Sequence, residues 1–326
     1  MDPLITVVVP VYNVEDYLER CLGSLSAQTH SNLEIIAVDD ASTDGSGTLC
    51  DRLAEKEPRL QVVHLPENRG PSAARNEGVR RARGEYLSFV DADDWVEPEL
   101  LERLYRSLTE TGADVSACGA EGIRLQDGPP AVFTREEAIR CLARSRPFGF
   151  VPWGKLYRTG PVKATPFDEG VFYSEDLLFL YQLFQKVERV SYRPDRLYHY
   201  VCREGSQVQS GINRRRCTLL AVNDLICGDA VVRFPEALEE FRQTALEAVR
   251  CMAVLAVKKG ASEGRLWDYL KLLQGNIRRH FSWKALTLCP RGRDKAAILA
   301  LYTSAAAFWV LASASKYIGR GRDRRG

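Results

Sequence analysis

An apolar strand ends in acidic side chains at Phe89-Val90-Asp91-Ala92-Asp93-Asp94. A second apolar strand, predicted at 33–38, runs directly into another acidic pair, Asp39-Asp40. Ligands of open α/β sheets bind just beyond the carboxyl ends of the strands. Two strands that carry carboxylates to the same edge therefore predict a site for a metal ion and the molecule that it carries.

Strands and helices alternate along the first part of the chain. Strands are predicted at 5–9, 33–38, 60–64, 85–90 and 114–118, and helices at 15–27, 46–57, 71–83 and 97–111. This alternation is typical of a Rossmann-like α/β fold, a mostly parallel sheet flanked by helices. Later the order is irregular, with helices at 135–143 and 175–186 and strands at 190–192 and 197–201. We divide the chain into 1–118, 119–212 and a C-terminal helical extension, 213–326.

The composition limits the partners and the compartment. Among 326 residues, Lys+Arg 45 and Asp+Glu 43 give a net charge of +2, which argues against nucleic acid as a partner. The nine cysteines include no C-x-x-C pair, which is typical of reduced thiols in a cytoplasmic protein. Residues 1–11 lack the basic segment that opens a signal peptide, so none is predicted.

Three strand ends offer complementary chemistry at one edge. Pro10-Val11-Tyr12-Asn13 follows the first strand and supplies an aromatic ring that can stack on a base. One carboxylate can accept the imide N–H of a uracil or bind ribose hydroxyls, while another can hold Mg²⁺ or Mn²⁺, which prefer oxygen ligands. The alternative is that these aspartates only form turns and cap helices. Two acidic pairs at the same edge weaken that alternative.

Four motifs resemble the family 2 glycosyltransferases in order and spacing. They are the segments at 7–13 (VVVPVYN), 38–46 (VDDASTDGS), 68–76 (NRGPSAARN) and 91–95 (DADDW). The resemblance covers about residues 4–210. It implies a GT-A fold, a nucleotide-sugar donor bound mainly by 1–118, an acceptor side at 119–212, and inversion at the anomeric carbon.

The resemblance also implies a role for each residue of the donor site. Asp40 would contact the uracil, Pro10 and Tyr12 would frame the base, and Asp39 would support that pocket. In the acidic motif, Asp91 would meet the ribose and Asp93 would ligate the Mn²⁺ or Mg²⁺ that bridges the diphosphate, with Ala92 between them. Arg75 would support the nucleotide or the acidic motif; its alternative is a salt bridge on a helix face.

A second resemblance lies downstream. Trp153-Gly154-Lys155-Leu156-Tyr157 and Phe172-Tyr173-Ser174-Glu175-Asp176-Leu177 look like the acceptor half of bacterial polysaccharide glycosyltransferases, in which the Asp of a Glu-Asp pair is the general base. This implies Asp176 as the base and Glu175 as its neighbour. The chemistry agrees, because a single displacement needs one carboxylate to take the proton of the attacking hydroxyl. The alternative is that Ser174-Glu175-Asp176 only caps a helix.

Three cations are further candidates near the leaving group. The segment at 199–206 resembles one that the family places over the donor diphosphate, so His199 or Arg203 could neutralise its charge, with a plain strand and turn as the alternative. Lys155 is a further candidate for the same contact. The remaining histidines lack ligand spacing and are interpreted as structural: His30, His64 and His280.

Residues 296–315 contain no charge and would form a helix of roughly 30 Å, about the thickness of a bilayer core. Many are Ala, Ser or Thr, so the segment is weakly hydrophobic. An apolar stripe at helical spacing predicts an interfacial helix at the inner face of the plasma membrane; packing on the protein and a true span are the alternatives. The stripe comprises Ile298, Leu301, Tyr302, Ala305, Phe308, Trp309 and Ala312.

These patterns predict a metal-dependent inverting glycosyltransferase of surface-polysaccharide biosynthesis. It would move a hexose or N-acetylhexosamine from a UDP-sugar to a hydroxyl of a glycan or lipid-linked glycan. A sugar nucleotidyltransferase would carry a glycine-rich G-x-G-x-R loop after the first strand, and a phospho-receiver domain an acidic pair there; neither is present. A non-catalytic nucleotide-sugar-binding or scaffolding protein on the same fold remains the alternative.

Overall fold

The computed structural model describes residues 2–122, 129–202 and 211–314. The chain divides into two compact units, Met1–Arg203 and Glu204–Gly326. The first unit contains the predicted half 1–118 and residues 119–203 of the predicted half 119–212, and the boundary between these halves stays a prediction.

One mixed sheet forms the centre of the first unit. Its strands are β1 Ile5–Val11, β2 Leu33–Asp39, β3 Leu60–His64, β4 Tyr86–Phe89, β5 Trp95–Val96, β6 Val115–Glu121, β7 Ala131–Thr134, β8 Lys155–Arg158 and β9 Arg189–His199. They run in the order β3-β2-β1-β4-β8-β6-β9-β5, and β7 pairs with β9. The first four strands of this order are parallel, and β8 is antiparallel to both neighbours. The carboxyl ends of β1, β2 and β4 therefore share one edge.

Helices cover this sheet. They are α1 Glu15–Ser26, α2 Ser46–Ala54, α3 Pro71–Arg81, α4 Leu100–Thr111, α5 Arg135–Ala143, α6 Thr159–Lys163 and α7 Glu175–Phe184. Strands β1 and β2 are almost wholly buried, as expected of parallel strands covered on both faces. Helix α3 lies very close to β1, because Gly78 faces Val8 and a Cβ at this glycine would overlap the valine side chain. This close approach places the side chains of α3 directly beneath the sheet edge.

Several predicted boundaries differ from the structure; helix α2, for example, ends at Ala54 rather than at 57. Helix α4 begins at Leu100 rather than at 97, because residues 95–96 form β5 and pair with β9. The two short strands predicted at 190–192 and 197–201 belong to one strand, β9, whose pairing with β6 shifts register around Gly119. Pro194 lies in the interval between the predicted strands and has no N–H to donate.

Helices form the second unit. They are α8 Thr218–Arg233, α9 Leu238–Lys259, α10 Leu266–His280, α11 Trp283–Leu288, α12 Gly292–Thr303 and α13 Ala305–Ala314. The single helix predicted at 296–315 is therefore wrong over its described part. Ser304 is extended, and Arg278 donates to the carbonyls of Tyr302 and Thr303 at 2.8 and 3.0 Å, which satisfies acceptors at the end of α12.

The predicted stripe of this segment mostly faces the protein. Five of its seven members are buried: Ile298, Leu301, Ala305, Phe308 and Ala312. Across the described ranges, no helix is both long enough and apolar enough to cross a membrane.

Candidate active site

Two loops at the sheet edge are tied together by Asn13. Its side-chain oxygen accepts a hydrogen bond from the N–H of Thr43 at 2.8 Å, and its own N–H donates to Ser42 Oγ at 3.1 Å. These contacts join the loop after β1 to the loop after β2. Pro10 is partly buried and the Tyr12 ring is 41% exposed, so this ring is accessible at the edge.

Asp40 holds the glycine loop that precedes α3. Its Oδ1 accepts from the N–H of Arg69 at 2.8 Å and its Oδ2 from the N–H of Gly70 at 2.7 Å. Burial raises the pKa of Asp40, and these two backbone donors oppose that rise. Each carboxylate oxygen has a second lone pair, so the predicted contact with a base stays open.

Asp39 is supported by a histidine that the sequence did not single out. Its Oδ1 accepts from the N–H of Ser42 at 3.0 Å, and its Oδ2 lies 2.9 Å from His64 Nδ1. The other ring nitrogen of His64 lies 3.0 Å from Asp51 Oδ1. Hydrogen bonds to the two carboxylates raise the pKa of His64. The available signal was register, because Asp39 and His64 end neighbouring parallel strands at paired positions.

Arg75 joins the acidic motif at 91–94 to the Glu175-Asp176 pair. Its Nη2 donates to Asp91 Oδ1 at 3.0 Å, and its Nη1 donates to Asp176 Oδ1 at 2.8 Å. The arginine side chain is only 5% exposed, whereas the two carboxylates are 27% and 26% exposed. Its guanidinium also lies 5.3 Å from the centre of the Phe167 ring. Arg75 is therefore a buried link under the site and not a salt bridge on a helix face.

Hydrogen bonds of Asp94 and Tyr198 fix the acidic motif at 91–94. The Tyr198 hydroxyl accepts from the N–H of Asp91 at 3.1 Å and donates to Asp94 Oδ2 at 2.6 Å. The N–H of Val201 donates to Asp94 Oδ1 at 2.8 Å. Burial, followed by the charge of Asp91, raises the pKa of Asp94 to about 8. Neither Asp94 nor Tyr198 was predicted as a site residue, because their partners lie far apart in sequence.

Glu175 and Asp176 are the first two residues of helix α7, and Asp176 is bonded to Arg75. Burial is the main cause that raises the pKa of both carboxyls. The charge of Asp91 raises both pKa values further, that of Asp176 also raises the pKa of Glu175, and Arg75 opposes these rises. A raised pKa suits a carboxylate that must accept a proton. Ser174 has a left-handed backbone with φ 68° and makes no side-chain bond that caps α7, whereas Glu175 and Asp176 lie in the first turn, where their charges also favour the helix dipole.

The sequence and the fold of this chain are similar to those of known proteins. The model of glycosyl transferase family 2 matches residues 6–167. The glycosyltransferase YibD of Escherichia coli is 30% identical over 275 residues, which is 77% of this chain and 79% of that protein. The chain belongs to glycosyl transferase family 2. The family that the motifs resembled is thus confirmed.

Two further matches define the fold and the extent of the likeness. Glycosyltransferase GlyA of Streptococcus pneumoniae is 35% identical over 221 residues, which is 63% of this chain but only 32% of GlyA. The chain therefore spans about a third of that relative. The crystal structure of S. aureus TarS 1–349 in complex with UDP-GlcNAc superposes with a TM-score of 0.68 at 22% identity, covering 95% of this chain and 90% of that TarS fragment. The predicted GT-A fold with a C-terminal helical region is confirmed.

Two of the predicted cations, Lys155 and His199, contact other groups of the protein. Lys155 is buried, and its ammonium donates to the carbonyls of residues 148, 151 and 153 at 2.8, 2.7 and 3.4 Å. Burial lowers the pKa of Lys155 to about 7. His199 stacks on Trp95 at 3.6 Å, and its two ring nitrogens lie 2.7 and 3.1 Å from Glu97 and Glu121. This geometry does not support a diphosphate contact by Lys155 or His199. Arg203 lies outside the described residues.

Asp93 lies between β4 and β5 with its side chain half-buried, next to the buried Ala92. Within the described part of the chain, no group of three or more His, Cys, Asp and Glu side chains could hold a metal ion. Asp93 supplies the hard carboxylate oxygen that Mg²⁺ and Mn²⁺ prefer, and these ions commonly bind substrate phosphates through one or two carboxylates.

Proposed function

We propose that this chain is a metal-dependent inverting glycosyltransferase that uses a UDP-sugar. It transfers a hexose or an N-acetylhexosamine to a hydroxyl of a glycan or a lipid-linked glycan during surface-polysaccharide biosynthesis. The acceptor places the enzyme at the cytoplasmic face of the plasma membrane. TarS, which shares the fold, binds UDP-GlcNAc, and this supports a UDP-sugar as the donor.

One observation carries the proposal. A single buried guanidinium, that of Arg75, holds Asp91 of the acidic motif and Asp176 of the acceptor half at hydrogen-bond distance. A transferase needs a carboxylate for the donor and a carboxylate for the acceptor within reach of one reacting carbon. Arg75 supplies that proximity, and its charge opposes the rise in the pKa of Asp176 that burial causes.

The protein's groups have distinct parts in the mechanism. Tyr12 stacks on the base, Asp40 and Asp39 shape its pocket, and Asp91 binds the ribose. A Mn²⁺ or Mg²⁺ ion held at Asp93 would stabilise the negative charge of the departing diphosphate. Asp176 accepts the proton of the attacking hydroxyl while the oxygen of that hydroxyl bonds to the anomeric carbon and the bond to the diphosphate breaks.

Nucleotide binding tests the proposal directly. The protein is titrated calorimetrically with UDP, GDP, CDP and UMP, each with and without Mn²⁺. We expect UDP to bind most tightly, and only with the metal. The variant Asp93→Asn should lose the metal-dependent binding of UDP, whereas Asp268→Asn, which changes an exposed carboxylate of the second unit, should behave as the wild type.

Each contrary outcome removes a defined part of the proposal. Preference for another nucleoside diphosphate would refute the UDP-sugar donor and the role of Asp40 toward uracil. Unchanged metal-dependent binding by Asp93→Asn would remove Asp93 from the metal site. Absence of binding by every nucleotide would refute the transferase mechanism as a whole.

A further inference from the structure

Helix α13 is apolar on both of its sides. One side packs inside the second unit through Ala305, Phe308 and Ala312, which are buried. The other side is exposed to solvent, with Trp309, Val310 and Leu311 at 39%, 60% and 40% exposure. A surface helix normally carries polar residues on the side away from the core. The exposed side of α13 therefore lacks the chemistry of a surface that remains in water.

A second tryptophan extends this surface onto α10. The ring of Trp267 lies 6.0 Å from the ring of Trp309 and is 46% exposed. We call the four residues Trp267, Trp309, Val310 and Leu311 the apolar face. Contiguous exposed apolar surfaces of this kind mark sites of protein or membrane contact.

Basic residues outnumber acidic ones around the apolar face, and the one acidic residue of α10, Asp268, pairs with Arg265 at 3.2 Å. Lys271 is exposed one helical turn after Trp267, and Arg278 lies further along the same side of α10, where it bonds to the end of α12. Residues 296–314 contain no acidic side chain. The sequence that follows α13 adds Lys316, Arg320, Arg322, Arg324 and Arg325 against Asp323 alone.

We propose that the apolar face docks on a lipid surface that contains anionic headgroups. Val310 and Leu311 enter the boundary between headgroups and acyl chains, and the two indole rings lie at the headgroup level, where tryptophan is enriched. The neighbouring cations attract the anionic lipids. This face is opposite to most of the stripe that the sequence predicted, because that stripe packs into the protein. The proposal does not depend on the transferase mechanism.

A second copy of the chain is the other candidate for the apolar face. A two-fold dimer would place the same surface of both copies together. Lys271 would then approach its counterpart on the other copy, and like charges across an interface oppose association. An anionic lipid surface meets the same residues with opposite charge, so the charge pattern favours lipid.

Vesicle flotation of the full chain tests this proposal. The protein is mixed with vesicles of phosphatidylcholine alone or of phosphatidylcholine with phosphatidylglycerol. We expect binding only to the anionic vesicles, weakened by salt because the attraction is screened. The variant W309S/V310S/L311S should lower the apparent affinity by about tenfold or more, since three side chains no longer leave water for lipid. The matched control V231S/V232S changes two exposed valines of α8 and should bind as the wild type.

Folding and the alternative occupant are checked with the same proteins. Circular dichroism confirms that the variants are folded, and Val310→Ser alone, at the most exposed position, replaces the triple variant if that one is not. Equal binding by W309S/V310S/L311S and V231S/V232S would overturn the proposal, as would equal binding to charged and uncharged vesicles. Self-association that is lost in the triple variant, together with no binding to any vesicle, would assign the face to a second copy instead.

Discussion

Replacing the guanidinium of Arg75 by an apolar side chain of similar length should destabilise the first unit strongly. In Arg75→Met, Asp91 and Asp176 lose a common partner that holds them at 3.0 and 2.8 Å. Removing one member of a buried ion pair typically costs about 3–5 kcal/mol. The two carboxylates are 27% and 26% exposed, so water compensates part of the loss. We therefore expect the lower end, about 3 kcal/mol.

The assay is hydrogen exchange of the core strands, read by mass spectrometry on peptides from β1 and β4. The slowest amides of a unit exchange through its global unfolding, so their rates report its free energy. A loss of about 3 kcal/mol predicts exchange faster by about a hundredfold. Helix α9 belongs to the other compact unit, so its peptides provide the internal control.

A double-mutant cycle identifies the cause. Asp176→Asn removes one of the two carboxylates that Arg75→Met leaves without a partner, so the double variant should lose at least about 1 kcal/mol less than the sum of the single variants. Two results would refute this reasoning. One is a cost of Arg75→Met below about 0.5 kcal/mol, and the other is additivity within about 0.5 kcal/mol.

Three further predictions concern neighbouring groups. Asp176→Asn should retain UDP binding but lower the transfer rate by about 10²–10⁴, the usual contribution of a general base; near-normal turnover would place the base elsewhere. Tyr198→Phe removes the hydroxyl between Asp91 and Asp94, so it should lower the free energy of unfolding by about 1–3 kcal/mol and weaken UDP binding. The control is Tyr157→Phe, which loses one buried hydrogen bond to a carbonyl and should lower stability but leave UDP affinity unchanged. Because the pKa of His64 is raised on folding, its contribution to stability is fully present below its unfolded pKa and is lost as pH rises through the folded pKa. The difference in unfolding free energy between the wild type and His64→Gln should shrink over that range, and a difference that grows with pH would contradict the contact with Asp39.

Local patterns were enough to predict the alternation of strands and helices from β1 to β4 and the acidic edge, but not the short elements β5, β7, β8 and α6. The strand from Leu60 to His64 and the helix from Arg135 to Ala143 have their predicted bounds, because apolar period and turn residues act over a few positions. The carboxylates at the ends of β2 and β4 were also predictable, since parallel neighbouring strands end at the same edge. Family motifs then indicated donor chemistry that the pattern alone left open.

Only the tertiary structure decided which distant side chains meet. Arg75 contacts Asp91 and Asp176 because α3 lies against β1 and α7 begins beside the edge, and no local period contains that distance. The same limit explains the tail, where α13 is apolar all round. A periodic pattern identifies the core side of a helix only when the other side is polar. For α13 the choice was made by packing: Phe308 became buried and Val310 exposed.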